Sequence, residues 1–174
     1  YTLLESFAKH FDKTKIIIGS QNCYQKDKFS SDTSAISPYM IKKVGAEYTL
    51  VGHSDNRKEG DTDLMLKNKV TYALKNNLKV VFCIGENKIQ KSKNKTLDVL
   101  KKQITKVLNK KLNKNNIIVA YEPIWSIGTG KIPTNKELEK ITIHIKKILK
   151  GIFQNKIPAV LYGGSVDGNS IKNF

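Results

Sequence analysis

Short apolar runs recur along this chain, and longer amphipathic stretches separate each run from the next. The runs are rich in Val, Ile and Tyr, and most do not alternate between apolar and polar positions. Continuous apolar runs of this length are expected of parallel strands that are buried on both faces of a sheet. The pattern therefore predicts five parallel strands, at residues 15–19, 48–51, 79–84, 117–121 and 159–162.

Helical patterns fill most of the intervals between these strands. Ser37 followed by Pro38 predicts a helix start with a side-chain cap, and Gly45 predicts the end of that helix. Thr134 and Glu137 have the spacing of a capping box. The predicted helices lie at about residues 3–11, 37–45, 63–76, within the lysine-rich run 88–114, from 134, and from 169 onward.

The alternation of strands and helices predicts an α/β fold. Repeated strand–helix units of this spacing build parallel sheets with right-handed crossovers. A length of 174 residues favours a single domain. The polar stretch 22–36 is longer than an ordinary connection, and long loops of this kind are usually functional.

The charge of the chain raises the question of an anionic partner. The formal net charge is +16, and lysine is densest in the run 88–114. A nucleic-acid or membrane surface is one interpretation, and the solvated outer face of a helix is the other. The run contains no arginine and no aromatic residue, and its leucines and isoleucines recur at helical spacing. We therefore favour the solvated face and expect neither a nucleic-acid nor a membrane partner.

Metal and nucleotide motifs are not found. The two cysteines, Cys23 and Cys83, have no metal-ligand spacing, and the three histidines form no cluster. The segment GTGK at 128–131 lacks the spacing of a phosphate-binding P-loop, and Ile132 stands where that motif has Ser or Thr. We expect no metal, no cofactor and a reducing compartment.

Polar residues follow four of the predicted strands directly. The segments are VGHS at 51–54, CIGE at 83–86, YE at 121–122 and YGGS at 162–165. In a barrel of parallel strands, functional groups collect where the strands end. Each segment alone is ambiguous, because a lone histidine, a lone glutamate or a Gly-Gly-Ser turn is more often structural. Taken together, a histidine followed by a glutamate and then by a glycine-rich loop that suits an anion indicate a functional site far more specifically than any one segment does.

The segment AYEPIWSIGTGK at 120–131 resembles the catalytic signature of the triosephosphate isomerase family at every position. The similarity extends along the whole chain and in the family's order. The other matching segments are QNCY at 21–24, ISP at 36–38, MIK at 40–42, VGHS at 51–54, CIGE at 83–86 and YGGSV at 162–166.

The resemblance implies an eight-stranded (β/α)8 TIM barrel, of which residues 1–174 represent the third to seventh strands as one partial domain. It implies isomerisation of a triose phosphate between dihydroxyacetone phosphate and D-glyceraldehyde 3-phosphate, without a cofactor. Glu122 falls on the general base and His53 on the neutral electrophile. Gly128 and Ser165 fall on the phosphate site. A homodimer through the loop 22–36 and a cytosolic location are implied, with a plastid-like organelle as the alternative.

Several positions depart from the family pattern. Asp55 stands where the family has glutamate, and Ser34 and Ala35 replace a glycine and a glutamate of the dimer loop. The segments carrying the family's catalytic lysine and the last strand's glycines are absent from the sequence, so we expect the 174-residue chain alone to be inactive. A catalytically impaired or non-catalytic homologue or fragment is therefore the alternative to an active isomerase.

Overall fold

A parallel sheet forms the centre of the structure. A computed structural model describes residues 1–28, 31–154, 156–168 and 171. Within that part of the chain, five strands lie side by side in sequence order, and every neighbouring pair is parallel. The strands are β1 (Gly19–Ser20), β2 (Tyr48–Val51), β3 (Lys79–Ile84), β4 (Ile117–Tyr121) and β5 (Ala159–Tyr162).

Helices connect the strands. Five of them begin at polar side-chain caps, which accept a hydrogen bond from a backbone N–H of the first turn: Ser37, His53, Thr62, Asn87 and Thr134. The helices are α1 (Leu4–Phe11), α2 (Pro38–Lys43), α3 (Ser54–Lys58), α4 (Asp63–Lys75), α5 (Lys88–Ser92), α6 (Thr96–Val107) and α7 (Asn135–Phe153), and residues Lys114–Asn116 form a 3-10 turn. Among the described residues, no helix is long and apolar enough to cross a membrane.

Four of the five predicted strands are confirmed with their predicted bounds, whereas the predicted bounds of the first are wrong. Residues 15–18 are not strand, because β1 pairs with β2 only through Gly19 and Ser20. Two further contacts extend the pairing, because the N–H groups of Glu47 and Tyr48 both donate to the carbonyl of Ile18, at 2.9 and 3.4 Å. Ile16 and Ile17 are therefore left about half exposed, at 55% and 53%.

The single helix predicted in the lysine-rich run is also wrong, because the run forms two helices. α5 ends at Ser92, and Asn94 takes a left-handed backbone with φ of 55° before α6 begins. Asparagine tolerates this conformation better than most residues. α6 ends at Val107, because the backbone of the next residue, Leu108, is extended although its side chain is buried. The predicted helix from 169 onward lies outside the described residues, apart from residue 171.

The hydrophobic core lies between the sheet and the helices α4, α6 and α7. α7 buries Ile141, Ile145, Leu149 and Phe153, whereas the predicted inward residues Leu138, Ile148 and Ile152 are only partly buried. The buried stripe is thus rotated slightly from its predicted position. The core holds the carboxyl ends of β2 to β5 in register, and the polar segments identified in the sequence follow those ends.

Candidate active site

His53 is held at the end of β2 by a tight backbone arrangement. Gly52 has φ of 81°, and a Cβ there would lie 3.1 Å from the carbonyl oxygen of Cys83. Arg57 reinforces the corner, since its Nε donates to the Gly52 carbonyl at 2.8 Å and its Nη2 to the Cys83 carbonyl at 3.2 Å. Only glycine suits this combination of left-handed backbone and close approach.

The imidazole of His53 has a defined orientation because it caps α3. Its Nδ1 accepts a hydrogen bond from the backbone N–H of Asp55 at 3.3 Å. A ring nitrogen that accepts carries no proton, so Nε2 carries the proton of the neutral ring. Nε2 points toward β4 and lies 3.7 Å from Oε2 of Glu122. The carboxylate and the imidazole thus share one site.

Glu122 lies directly after β4, and its backbone N–H donates to the carbonyl of Ile84 at 2.8 Å. The side chain is 19% exposed, and among the described residues its buried Oε2 has no hydrogen-bond partner. Burial raises the pKa of the carboxyl group, and the nearby His53 and Cys83 oppose that rise. A buried carboxylate with a raised pKa and an unused lone pair is suited to accepting a proton.

Two glycines leave room for Glu122. A Cβ at Gly85 would lie 1.9 Å from the Glu122 carbonyl oxygen, which no backbone arrangement tolerates. A Cβ at Gly163 would lie 3.2 Å from both Cγ and Oε1 of the Glu122 side chain. Gln103 fixes Gly85, accepting from its N–H at 2.9 Å and donating to its carbonyl at 3.0 Å. The position of the carboxylate therefore depends on three neighbours from other segments.

The loop 123–133, called here the closing loop, connects Glu122 to α7. Gly128 and Gly130 have positive φ values of 68° and 69° and lie on its exposed part. Ser165 follows β5 and donates from its hydroxyl to the carbonyl of Ser126. The Ser126 hydroxyl in turn donates to the carbonyl of Lys131, at the far side of the loop. Ser165 is thereby joined to the closing loop, whereas Gly128 is exposed and an added Cβ there would meet nothing within 4 Å.

The base of the closing loop is attached to Glu86, which follows β3 and is 1% exposed. The Trp125 indole N–H donates to Glu86 Oε1 at 2.7 Å, and the Tyr121 hydroxyl lies 3.2 Å from both carboxylate oxygens. The charge of Glu86 and burial together raise the pKa of the Tyr121 hydroxyl, with burial the larger cause. Glu86 thus supports the structure of the loop, and Cys83, near the end of β3, is also buried.

Some of the residues that shape the site were not identified from the sequence. Arg57, Gln103, Ser126 and Tyr162 act through contacts with segments distant in the chain. Gln103 had a weak signal, since it is a polar residue beside the inward-facing Leu100 and Ile104 of a helix. Ser126 and Tyr162 lie within the matching segments 120–131 and 162–166, and Arg57 lies shortly after VGHS, but no local pattern indicates the contacts that these three residues make.

Comparisons with known proteins agree with this geometry. A family model described as "Triosephosphate isomerase" matches residues 1–174. The triosephosphate isomerase of Leptospira interrogans is 34% identical and aligns with 98% of this chain and 71% of its own length. That of Thermodesulfovibrio yellowstonii is 36% identical, over 100% of this chain and 72% of its own length.

The chain belongs to the triosephosphate isomerase family. The crystal structure of triosephosphate isomerase from Bartonella henselae superposes with a TM-score of 0.89 at 31% identity, covering 97% of this chain and 70% of that one. The predicted TIM-barrel fold and the predicted isomerase class are thereby confirmed, and the non-catalytic alternative is not favoured. The division into one partial domain stays a prediction.

Proposed function

We propose that Glu122 and His53 are the catalytic pair of an isomerase that interconverts dihydroxyacetone phosphate and D-glyceraldehyde 3-phosphate. The observation that carries this proposal is the distance of 3.7 Å between Glu122 Oε2 and His53 Nε2. At this separation one carboxylate and one neutral N–H reach adjacent atoms of the same small substrate. No metal or cofactor enters the proposed reaction.

The proton transfer follows from the two environments. Glu122 removes a proton from the carbon next to the substrate carbonyl, and its raised pKa brings its basicity closer to the working pH. The N–H of His53 donates to the oxygen on which negative charge develops, so the enediolate is stabilised. Glu122 then returns the proton to the neighbouring carbon. His53 Nε2 gives its proton to the oxygen that becomes the hydroxyl and takes a proton from the oxygen that becomes the carbonyl, so the two groups exchange places and no atom is gained or lost.

We assign the phosphate group to backbone N–H groups of Gly128 and Ser165. Ser165 has φ of 48° and leads away from β5, and the hydroxyl contact with Ser126 already ties it to the closing loop. Gly128 has no Cβ to block a bound anion, and no atom lies within 4 Å of where one would be. Closure of the loop over the substrate would exclude water and strengthen the hydrogen bonds to the enediolate.

The decisive experiment measures isomerisation by the whole protein and by four variants. Glu122→Asp shortens the base by one methylene and His53→Gln removes the imidazole. Glu139→Asp and His10→Gln make the same changes at exposed positions of α7 and α1. We expect kcat to fall about 10²- to 10⁴-fold for the site variants and to stay unchanged for the controls. Parent rates no better than those of both site variants would refute the proposal.

We also propose that the protein is a homodimer formed through the loop 22–36. The base of the loop is anchored, since Asn22 Oδ1 accepts from Lys69 Nζ at 3.0 Å and the N–H of Tyr24 donates to the Ile36 carbonyl at 2.9 Å. A firmly anchored polar loop is suited to insertion into a second copy. Sedimentation equilibrium of Thr33→Arg should show a shift toward monomer, with Thr71→Arg on α4 as the control. A monomeric parent would contradict the dimer.

We place the protein in the cytosol, the usual compartment of this family, with a plastid-like organelle as the alternative. The two buried free cysteines, Cys23 and Cys83, support a reducing compartment. Immunolocalisation of the native protein separates the two, because organelle import would remove the signal from the cytosol.

A further inference from the structure

Trp125, the only tryptophan of the chain, is contacted by a lysine from another segment. The ammonium nitrogen of Lys91, on α5, lies 3.5 Å from the centroid of the indole ring. A cation at this distance over an indole face is attracted by the ring quadrupole. The indole N–H of the same ring donates to Glu86 Oε1, so the first residues of the closing loop are held by two different partners.

Lys91 also contacts the segment where the closing loop ends. Its ammonium nitrogen lies 3.5 Å from Oε1 of Glu137, in the first turn of α7. The other oxygen of that carboxylate accepts from the backbone N–H of Thr134 at 2.9 Å and from its hydroxyl at 3.0 Å. Thr134 is the cap of α7 and comes directly after the loop. The Glu137 carboxylate therefore joins Lys91 to the end of the loop.

α5 holds Lys91 in position for both contacts. The helix has a complete capping box, in which Asn87 accepts from the N–H of Gln90 at 2.8 Å and Gln90 accepts from the N–H of Asn87 at 2.9 Å. A five-residue helix gains much of its order from such a cap. The Lys91 side chain is 35% exposed, so its charge is partly screened by solvent.

We propose that Lys91 is a positioning residue of the isomerase, whose single charge connects the two ends of the closing loop by binding the Trp125 ring and the Glu137 carboxylate. This inference rests on the proposed function, since the loop is assigned there to the substrate phosphate. Lys91 does not touch the reacting atoms. It restricts the arrangements open to the loop before substrate binds, so less ordering free energy opposes binding.

The test uses the whole protein with Lys91→Gln, Lys91→Arg and Lys88→Gln. Lys88→Gln removes the same charge from an exposed position of α5. Trp125 fluorescence, recorded without substrate, reports the ring contact directly. For Lys91→Gln we expect lower anisotropy, a shifted emission maximum and a KM about fivefold higher, with a smaller change in kcat. Lys91→Arg should restore parent values, because a guanidinium stacks on indole and pairs with carboxylates. Lys88→Gln should match the parent.

Three outcomes would overturn the proposal. Unchanged fluorescence in Lys91→Gln would show that the ring contact does not form. Changed fluorescence with an unchanged KM would show that the contact positions nothing used in binding. A Lys91→Arg variant as impaired as Lys91→Gln would show that a cation is not the property required. Failure of the proposed function is distinguishable, because Glu122→Asp would then match the parent whatever the fluorescence of the Lys91 variants.

Discussion

The imidazole Nε2 of His53 and the carboxylate Oε2 of Glu122 lie 3.7 Å apart, although they follow two strands that are not neighbours in the sheet. β3 separates β2 from β4, so the two side chains converge across the end of the intervening strand. Cys83 and Gly85 lie at the end of that strand, where Cys83 has a small side chain and Gly85 has none. Burial at this site raises the pKa of Glu122, although His53 and Cys83 oppose that rise, and within the described part of the chain Oε2 of Glu122 has no hydrogen-bond partner.

Glu122→Gln should stabilise the protein at neutral pH while abolishing isomerisation. The pKa of Glu122 is raised above its ordinary value of 4.5, so the folded state binds its proton more tightly than the unfolded state. The free energy of unfolding therefore falls as pH rises from 4.5 through the higher folded-state pKa, and it stays reduced above that window.

Urea unfolding between pH 4 and 8 measures this effect. The glutamine variant should lose the part of the pH dependence that Glu122 contributes, whereas Glu139→Gln, at an exposed site on α7, should keep the parent profile. Parallel profiles for Glu122→Gln and the parent would contradict the prediction.

Gly85→Ala should severely damage folding or activity. The new Cβ would lie 1.9 Å from the Glu122 carbonyl oxygen, so the backbone of one strand end must move. We expect a loss of about 3 kcal/mol or more in unfolding free energy, measured by denaturant titration. Gly151→Ala is the control, because an added Cβ in α7 meets nothing within 4 Å and should stabilise by about 0.5–1 kcal/mol. Equal stabilities of the two variants would show that the contact at Gly85 relaxes freely.

Gly163→Ala should impair catalysis more than stability. Its Cβ would press on Cγ and Oε1 of Glu122 at 3.2 Å, so the carboxylate must shift by a few tenths of an ångström. Misplacement of a catalytic group on this scale lowers kcat by about tenfold or more. Steady-state kinetics and thermal unfolding together distinguish the two effects. A variant with parent kcat would mean that the carboxylate tolerates the displacement.

Lys69→Met should be strongly destabilising because it breaks a buried ion pair. Lys69 and Asp61 lie 2.7 Å apart, and their side chains are only 5% and 7% exposed. Removing one partner leaves an uncompensated buried charge, at a cost of about 3–5 kcal/mol. The exposed pair Lys9–Glu5 has the same distance of 2.7 Å, and Lys9→Met should leave the free energy of unfolding close to that of the parent. The double variant Lys69→Met with Asp61→Leu should recover part of the loss.

Local sequence was sufficient for those elements whose signals lie within a few neighbouring residues. The apolar runs of β2 to β5 have the predicted bounds, and Ser37 and Thr134 cap the helices for which they were predicted. These signals depend on side-chain period and on hydrogen bonds to the nearest turn, so they survive without knowledge of the partner segments. The likeness of residues 120–131 to a known signature identified the family in the same way.

The tertiary structure decided whatever depends on partners from elsewhere in the chain. β1 is only two residues long because its pairing with β2 covers only two positions. The turn at Asn94 divides the lysine-rich run, which has the periodicity of one helix, into two helices. The register of the parallel strands brings together residues that are distant in the chain. It places Glu122 near His53 and Lys91 against Trp125, and it brings the Glu122 backbone so close to Gly85 that a side chain there would not fit. Such contacts depend on how many distant residues pack together in the core, so no local sequence pattern reveals them.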